Sequence, residues 1–506
     1  MLDTDWDHIL HAGSVILVGG RGQLRLGRAV RAAGRRSGQR CGPRPPCYNV
    51  AVAGFATGHQ PESDGRSVEL TFHNLGAVRQ ATIDVRPLTV FVGPNNAGKT
   101  WTAYTIAACL GEHGLFWQLE DYEKTDDPHR YPPITECYDK LISEGGATVD
   151  IVEFFDRYVD LCFSDACNAC ETRLPEFLGA GAELVRGPVT VNVERSRAAM
   201  RDVLLGSTLS AGRFSTLLGA RLRAVKHSGS GDVTFFTEGG IPDVPARAIW
   251  GFVATTILTW VRQSFCSMAY VLPTERAGLS STSLNRPANP WSEEDSAPAA
   301  VDFIRTLATV IGPPARARPG SQRLVRLSGT LEGVLGGSIQ VDEPTGQFTF
   351  TFPPGVVLHT TSASSMVREL APMALYLQRV AEPGQLLVVD EPEMNLHPEA
   401  QAKLVELLCM LANAGIKVLI TTHSPYLVDH LANLVKAAAA PDPRAIADLF
   451  FLRDQSAFIP ADHVSVYEFA DGSARSIIDE LGEIDWGTFG RVSDRISEIY
   501  YAIPTE

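Results

Sequence analysis

The sequence is short of cysteine, of long apolar runs and of basic charge. Nine cysteines in 506 residues form an odd, scattered set without a disulfide framework, so reduced thiols are expected. No apolar stretch reaches the roughly 20 residues that a membrane helix needs. The longest candidate, Ala248 to Val261, is bounded by Arg247 and Arg262. The start of the chain has no basic n-region and carries Asp3, Asp5 and Asp7, which argues against a secretory signal. A cytoplasmic protein that does not enter a membrane is therefore expected. The formal charge of -14 excludes wholesale coating of nucleic acid and leaves room only for a local basic patch. Sustained heptads and internal repeats are lacking too, which excludes a long coiled coil or a solenoid.

What is present is unevenly distributed. Residues 1–66 carry clustered arginines from Arg21 to Arg44 and the breakers "CGPRPP" and "GHQPESDG". They are expected to form a poorly ordered basic leader with a short helix near Leu24 to Ala33. "LVGGRG" imitates a phosphate loop there but lacks its lysine ending. From Ser67 the pattern changes: "SVELTFHNL" and "ATIDVRP" alternate like paired strands, and "LTVFV" is a short buried-type strand. Residues 67–110 begin the folded body, and 111–322 are expected to be a mainly helical insertion with one strand, near 268–275, returning to the body. Residues 323–506 complete it, with "RLVRLSGTL" expected as a strand. Next come a strand hairpin in "GSIQVDEPTGQFTFTF", with its turn at Pro344 to Gly346, and the strand "VVLHTT", and from the helix "SSMVRELAPMALYLQRV" on strands and helices alternate as in parallel βαβ units.

Gly93-Pro94-Asn95-Asn96-Ala97-Gly98-Lys99-Thr100 matches G-x-x-x-x-G-K-[ST] between an expected strand and an expected helix. Glycines let backbone N–H groups turn inward around phosphate oxygens, Lys99 reaches the β- and γ-phosphates, and the Thr100 hydroxyl suits Mg²⁺. ATP and Mg²⁺ are the expected ligands. "LLVVDEPE" ends a buried-type strand in adjacent carboxylates. Asp390 is placed to hold Mg²⁺ and Glu391, on the other side of the pleat, to polarise an attacking water. "VLITTHSP" ends a further strand in His423, suited to sense the γ-phosphate or orient the water.

The combination of GPNNAGKT, DEPEMNLHP and TTHSP resembles the ABC-type ATPase heads of the SMC, RecF and OLD-like AAA families. The resemblance covers Ser67 to Thr100 and about Arg323 to Ala440. It implies an α/β P-loop NTPase, an ABC-ATPase-like head with mixed β-sheet lobes and a mostly helical insertion. It also implies an ATP sandwich between two heads, hence a homodimer or higher homo-oligomer. Asn395 would sit in the D-loop, against the opposite head's nucleotide. "TTSASSMVREL" stands where such heads carry their signature segment, so Ser362, Ser364 and Ser365 are candidates to cap the γ-phosphate of a partner head. The run lacks the two glycines of the usual L-S-G-G-Q form, and simple helix capping is the competing reading.

Other features stay open. Arg276 in "VLPTERAGL" either approaches phosphate or pairs with Glu275 or Glu293. Gln118 is the nearest candidate for the glutamine that couples Mg²⁺ to the insertion in such heads. Cys162, Cys167 and Cys170, with Cys137, are short of a convincing zinc set, and free thiols are expected. The expected function is an ATPase whose nucleotide cycle controls dimerisation or assembly. It would gate a protein effector or a nucleic-acid sensor, and such stand-alone heads are often found in defence against phage or foreign DNA. An OLD-type nuclease is the alternative. About 80 residues follow His423, fewer than a Toprim domain and the last sheet elements together need. A non-hydrolysing ATP-binding scaffold fits the same motifs.

Overall fold

A computed structural model of the protein describes residues 56–57, 66–125, 127, 129–215, 221–238, 246–274, 276–279, 322–342, 346–479, 481–485 and 487–503. Nearly all of the expected leader lies outside these residues, as do Glu275 and Glu293.

Seventeen strands build three sheets among the described residues. The antiparallel pair β2 (Val68–Leu75) and β3 (Val78–Val85) leads into β4 (Leu88–Val92) and the helix Lys99–Leu110. The same nine-stranded sheet takes β6 (Val189–Asn192), β10 (Ala269–Leu272), β14 (Leu386–Asp390), β15 (Lys417–Thr422), β16 (Val464–Ala470) and β17 (Ser473–Ser476). Its order is β10-β14-β15-β4-β16-β17-β3-β2-β6. The neighbours from β10 to β16 are all parallel, and the far end is mostly antiparallel.

The parallel half explains its own sequence. Every residue of β4, β14 and β15 is buried, because helices cover both faces, and such strands read as continuous apolar runs. Alternate residues feed two cores. Phe91, Val388 and Leu419 join the core under the Lys99–Leu110 helix. Val90, Val389 and Ile420 join the core under the helix Pro398–Asn413.

The expected insertion is helical in its longest pieces, Ile151–Glu171 and Ala246–Gln263, but it also supplies four strands of an antiparallel sheet, to which the expected leader adds β1. That sheet has the order β1-β7-β8-β9-β5, with β1 (Ala56–Thr57), β5 (Gly146–Asp150), β7 (Ser207–Ser215), β8 (Arg221–Lys226) and β9 (Asp232–Glu238). The segment shares one core with the head: Ile106 and Cys109 pack in the same cluster as Phe155, Phe163 and Trp260. Two of its strands, β6 and β10, enter the main sheet, where only the strand near 268–275 was expected.

"RLVRLSGTL" is not a strand. Gln322–Leu335 is a helix, and its buried residues Leu324, Leu327, Leu331 and Leu335 recur at helical spacing, with Val325 exposed between them. The hairpin that follows is present as β11 (Ser338–Asp342) and β12 (Gln347–Phe352), with β13 (Val356–His359) beside it.

Candidate nucleotide site

The register brings four strand ends together. Leu272 is opposite Val389, Asp390 opposite Thr421, and Thr422 opposite Val92. The segments that leave β10, β14, β15 and β4 therefore emerge side by side, at the carboxyl edge where open α/β sheets bind ligands.

The loop after β4 needs its glycines. Gly93 has φ +133, and a Cβ there would overlap the Phe469 carbonyl; Gly98 has φ +97, and a Cβ would press on Val78 Cγ2 at 2.5 Å. Asn96 also takes positive φ. Lys99 folds back over this loop: its Nζ donates to the Gly93 carbonyl at 3.0 Å, to the Pro94 carbonyl at 2.9 Å, and lies 3.0 Å from His423 Nε2. Burial pushes the Lys99 pKa down although Glu391, Asp390 and Glu393 oppose the shift. The ammonium is thus under-solvated and stands among acceptors that an anionic phosphate can replace.

Asp390 is buried and crowded by hydroxyls. Thr100 Oγ1 donates to Oδ1 at 3.0 Å, Thr274 Oγ1 to Oδ2 at 2.6 Å, Tyr104 OH to Oδ2 at 3.4 Å, and Thr421 Oγ1 bonds Oδ1 as well. A carboxylate beside a threonine hydroxyl is the hard-oxygen donor set that suits Mg²⁺, so Thr100 and Asp390 fit that ion.

Glu391 has φ +47. Its N–H is held by the Thr421 carbonyl and hydroxyl, both at 3.1 Å, and its Oε1 lies 3.4 Å from His423 Nε2. Burial, then the neighbouring Asp390, raises the Glu391 pKa. Burial and the Lys99 charge lower that of His423, which favours a neutral imidazole accepting at Nε2. Glu393 locks the end of β15: its Oε1 accepts from the Thr422 hydroxyl and the His423 N–H, each at 2.7 Å, and burial raises its pKa too.

Lys99, Thr100, Asp390, Glu391 and His423 are therefore one cluster. Asn395, with φ +60, joins its edge by donating from Nδ2 to Glu369 Oε1 at 3.0 Å. The serine run connects through the same Glu369, because both belong to the segment that opens the helix Ser365–Arg379. Ser364 is the N-cap of that helix and accepts the Val367 N–H at 3.4 Å. Ser362 lies in the turn Thr360–Ser362, and both serines are exposed.

Arg276 is not at the surface, and the expected partners Glu275 and Glu293 lie outside the described residues. The arginine is fully buried and bonds main-chain carbonyls and Glu369. Gln118 is buried, its Nε2 donating to Tyr131 OH at 3.2 Å. Cys137, Cys162, Cys167 and Cys170 are buried free thiols, and no metal-binding group of three His, Cys, Asp or Glu occurs among the described residues. Thr274, Thr421 and Glu393 were missed as site residues. Their signal is adjacency: each lies within three residues of a motif residue or, for Thr274, at the end of a strand recognised as part of the sheet.

A phosphate loop, paired carboxylates and a histidine on neighbouring parallel strands, with an antiparallel lobe beyond, make an α/β fold of the P-loop NTPase kind. Residues 257–429 match the family model described as "AAA domain, putative AbiEii toxin, Type IV TA system". That span runs from the Ala246–Gln263 helix past His423. No curated protein matches the sequence. Among solved structures, the chain is similar to the SMC head domain from Thermotoga maritima, with 11% identity over 81% of this chain and 98% of that one and a TM-score of 0.30. It is similar to an SmcHead bound to the C-winged helix domain of ScpA, at 12% identity, 81% and 96% coverage and a TM-score of 0.33. An Smc head with an extended coiled coil, bound to the C-terminal domain of ScpA derived from Pyrococcus furiosus, gives 10%, 86%, 99% and 0.33. Similarity this loose assigns no role to any residue. No helix among the described residues is long and apolar enough to cross a membrane.

Proposed function

We propose that the protein binds MgATP at the strand ends around Lys99 and hydrolyses it, and that the nucleotide cycle governs association of two heads. The convergence of Lys99, Thr100, Asp390, Glu391 and His423 carries this reading. The phosphate chain lies against the amides of residues 93–98, and Lys99 exchanges its carbonyl and imidazole contacts for phosphate oxygens. Thr100 and Asp390 would hold Mg²⁺, and the ion would supply neutralisation of the phosphate charge. Glu391 takes a proton from water as the water oxygen bonds to the γ-phosphorus and the bond to the β–γ bridging oxygen breaks, releasing ADP and phosphate. Its raised pKa suits a base. Neutral His423 holds the γ-phosphate side of the site.

Ser362, Ser364 and Ser365, with Asn395, face the partner head's nucleotide in this reading, so ATP closes a homodimer or a larger assembly. The closed state gates a protein effector or a nucleic-acid sensor in defence against phage or foreign DNA. The mention of a toxin–antitoxin system in the matched family's description is in keeping with that role. The deciding experiment is steady-state ATP turnover with and without Mg²⁺, on wild type and Glu391→Gln. Turnover that survives Glu391→Gln overturns the hydrolytic reading. Wild-type protein that binds ATP without turning it over makes it a scaffold.

A further inference from the structure

Arg276 is one of the largest fully buried side chains in the protein. Burying a guanidinium is costly, and an apolar residue of similar volume would fill the space as well or better. What arginine adds is a rigid planar fork. Nη1 donates to the Asp390 carbonyl at 2.8 Å and Nη2 to the Glu391 carbonyl at 3.0 Å. Nε donates to the Glu369 carbonyl at 3.1 Å and lies 3.6 Å from Glu369 Oε2. One side chain thus grips the carbonyls of the two residues whose carboxylates form the centre of the site.

The grip falls where the backbone needs it. Glu391 holds a left-handed conformation at φ +47, disfavoured for a residue with a Cβ and kept only where surroundings over-determine it. Thr421 secures the N–H side of that residue, and Arg276 secures its carbonyl. Glu369 is buried and is the counter-charge to Arg276. Its other oxygen accepts from Asn395, and it lies one turn into the helix that Ser364 caps.

We propose that Arg276, braced by Glu369, is a positioning residue for hydrolysis: it holds the Asp390–Glu391 turn so that the Glu391 carboxylate stays beside His423. Through Glu369 that posture follows the turn carrying Asn395 and the helix opened by the serine run. The inference rests on Glu391 being the base.

The test separates binding from chemistry in the full-length chain. Arg276→Lys keeps the charge and loses the fork; Glu369→Gln keeps the shape and removes the counter-charge. ATP affinity measured without Mg²⁺ should stay within about 3-fold of wild type, while single-turnover hydrolysis falls about 10- to 100-fold, the scale of a misplaced catalytic group. Placed in Glu391→Gln, Arg276→Lys should give no further fall, since residues acting through one step are non-additive. Wild-type turnover in Glu369→Gln overturns the inference, also when Arg276→Lys does not fold. A full additional fall in the Glu391→Gln background overturns it equally, as does a loss of affinity that tracks a lowered melting temperature. If Glu391→Gln alone turns over at the wild-type rate, the catalytic reading fails and the inference with it, before Arg276 is altered.

Discussion

Thr100 and Asp390, 290 residues apart in the chain, meet with the threonine hydroxyl donating to the carboxylate at 3.0 Å. The contact exists because β4 and β14 flank β15 with their carboxyl ends level. Replacing Thr100 by valine keeps the volume and removes the oxygen donor. We expect Mg²⁺-dependent tightening of ATP binding to shrink by about 10-fold or more while Mg²⁺-free binding changes little, about 1.4 kcal/mol per tenfold step. Titrations of ATP with and without Mg²⁺ measure it, and equal tightening in both proteins removes Thr100 from the ion site.

Lys99→Ala should weaken ATP binding at least about 100-fold, the scale of losing charge-assisted contacts to phosphate. The fold should hardly notice, because the ammonium is buried against its preference. Affinity and thermal melting, taken together, check both halves.

Glu391→Gln should bind MgATP and turn over at least about 100-fold more slowly. With the serine run capping ATP across an interface, the stalled protein accumulates as a larger species by mass action. Light scattering with and without MgATP reads this. Adding Ser364→Arg should return the smaller species with cis binding intact; a size that ignores ATP refutes the trans cap.

Lys226 offers a pH test. It is buried, its Nζ donating to the carbonyls of Leu205, Ser207 and His227 at 3.1, 2.8 and 3.3 Å, and burial lowers its pKa to about 8 from 10.5. A depressed folded value means that the unfolded chain binds more protons between those limits, so stability rises with pH there. The contribution is present above 10.5 and lost as pH falls through about 8. Relative to Lys226→Met, wild type should gain stability between pH 8 and 10.5 with a slope of at most about 1.4 kcal/mol per pH unit. Denaturation of both proteins at pH 7 and pH 10 gives the difference; parallel curves refute it.

The helix Gln322–Leu335 makes Leu331 and Val325 unequal. Leu331→Ala should cost about 2–5 kcal/mol, as a buried leucine does, while Val325→Thr should stay within about 0.5 kcal/mol. A strand would have put both on one face, so comparable losses would refute the helical placement.

Much of the site could be read without coordinates because its elements are local. A glycine loop between a strand and a helix, a carboxylate pair closing an apolar run and a histidine closing another are short-range patterns, and each carries its own chemistry. Periodicity also recovered β2, β3, β4, β10, β14 and β15. It failed at 323–331, where apolar residues at positions 324, 325 and 327 fit two periods and only Leu331 and Leu335 decide for the helix.

Tertiary structure alone settled which distant groups meet. Nothing local in "VLPTERAGL" says that Arg276 turns inward to the carbonyls of Asp390 and Glu391, because its partners lie more than 90 residues away. Nor does "HVSVYEF" say that β16 runs parallel to β4 at the centre of the sheet. Strand order and the placing of a buried charge depend on pairings between distant segments, whose closure is decided by the assembled core and not by any one stretch of sequence.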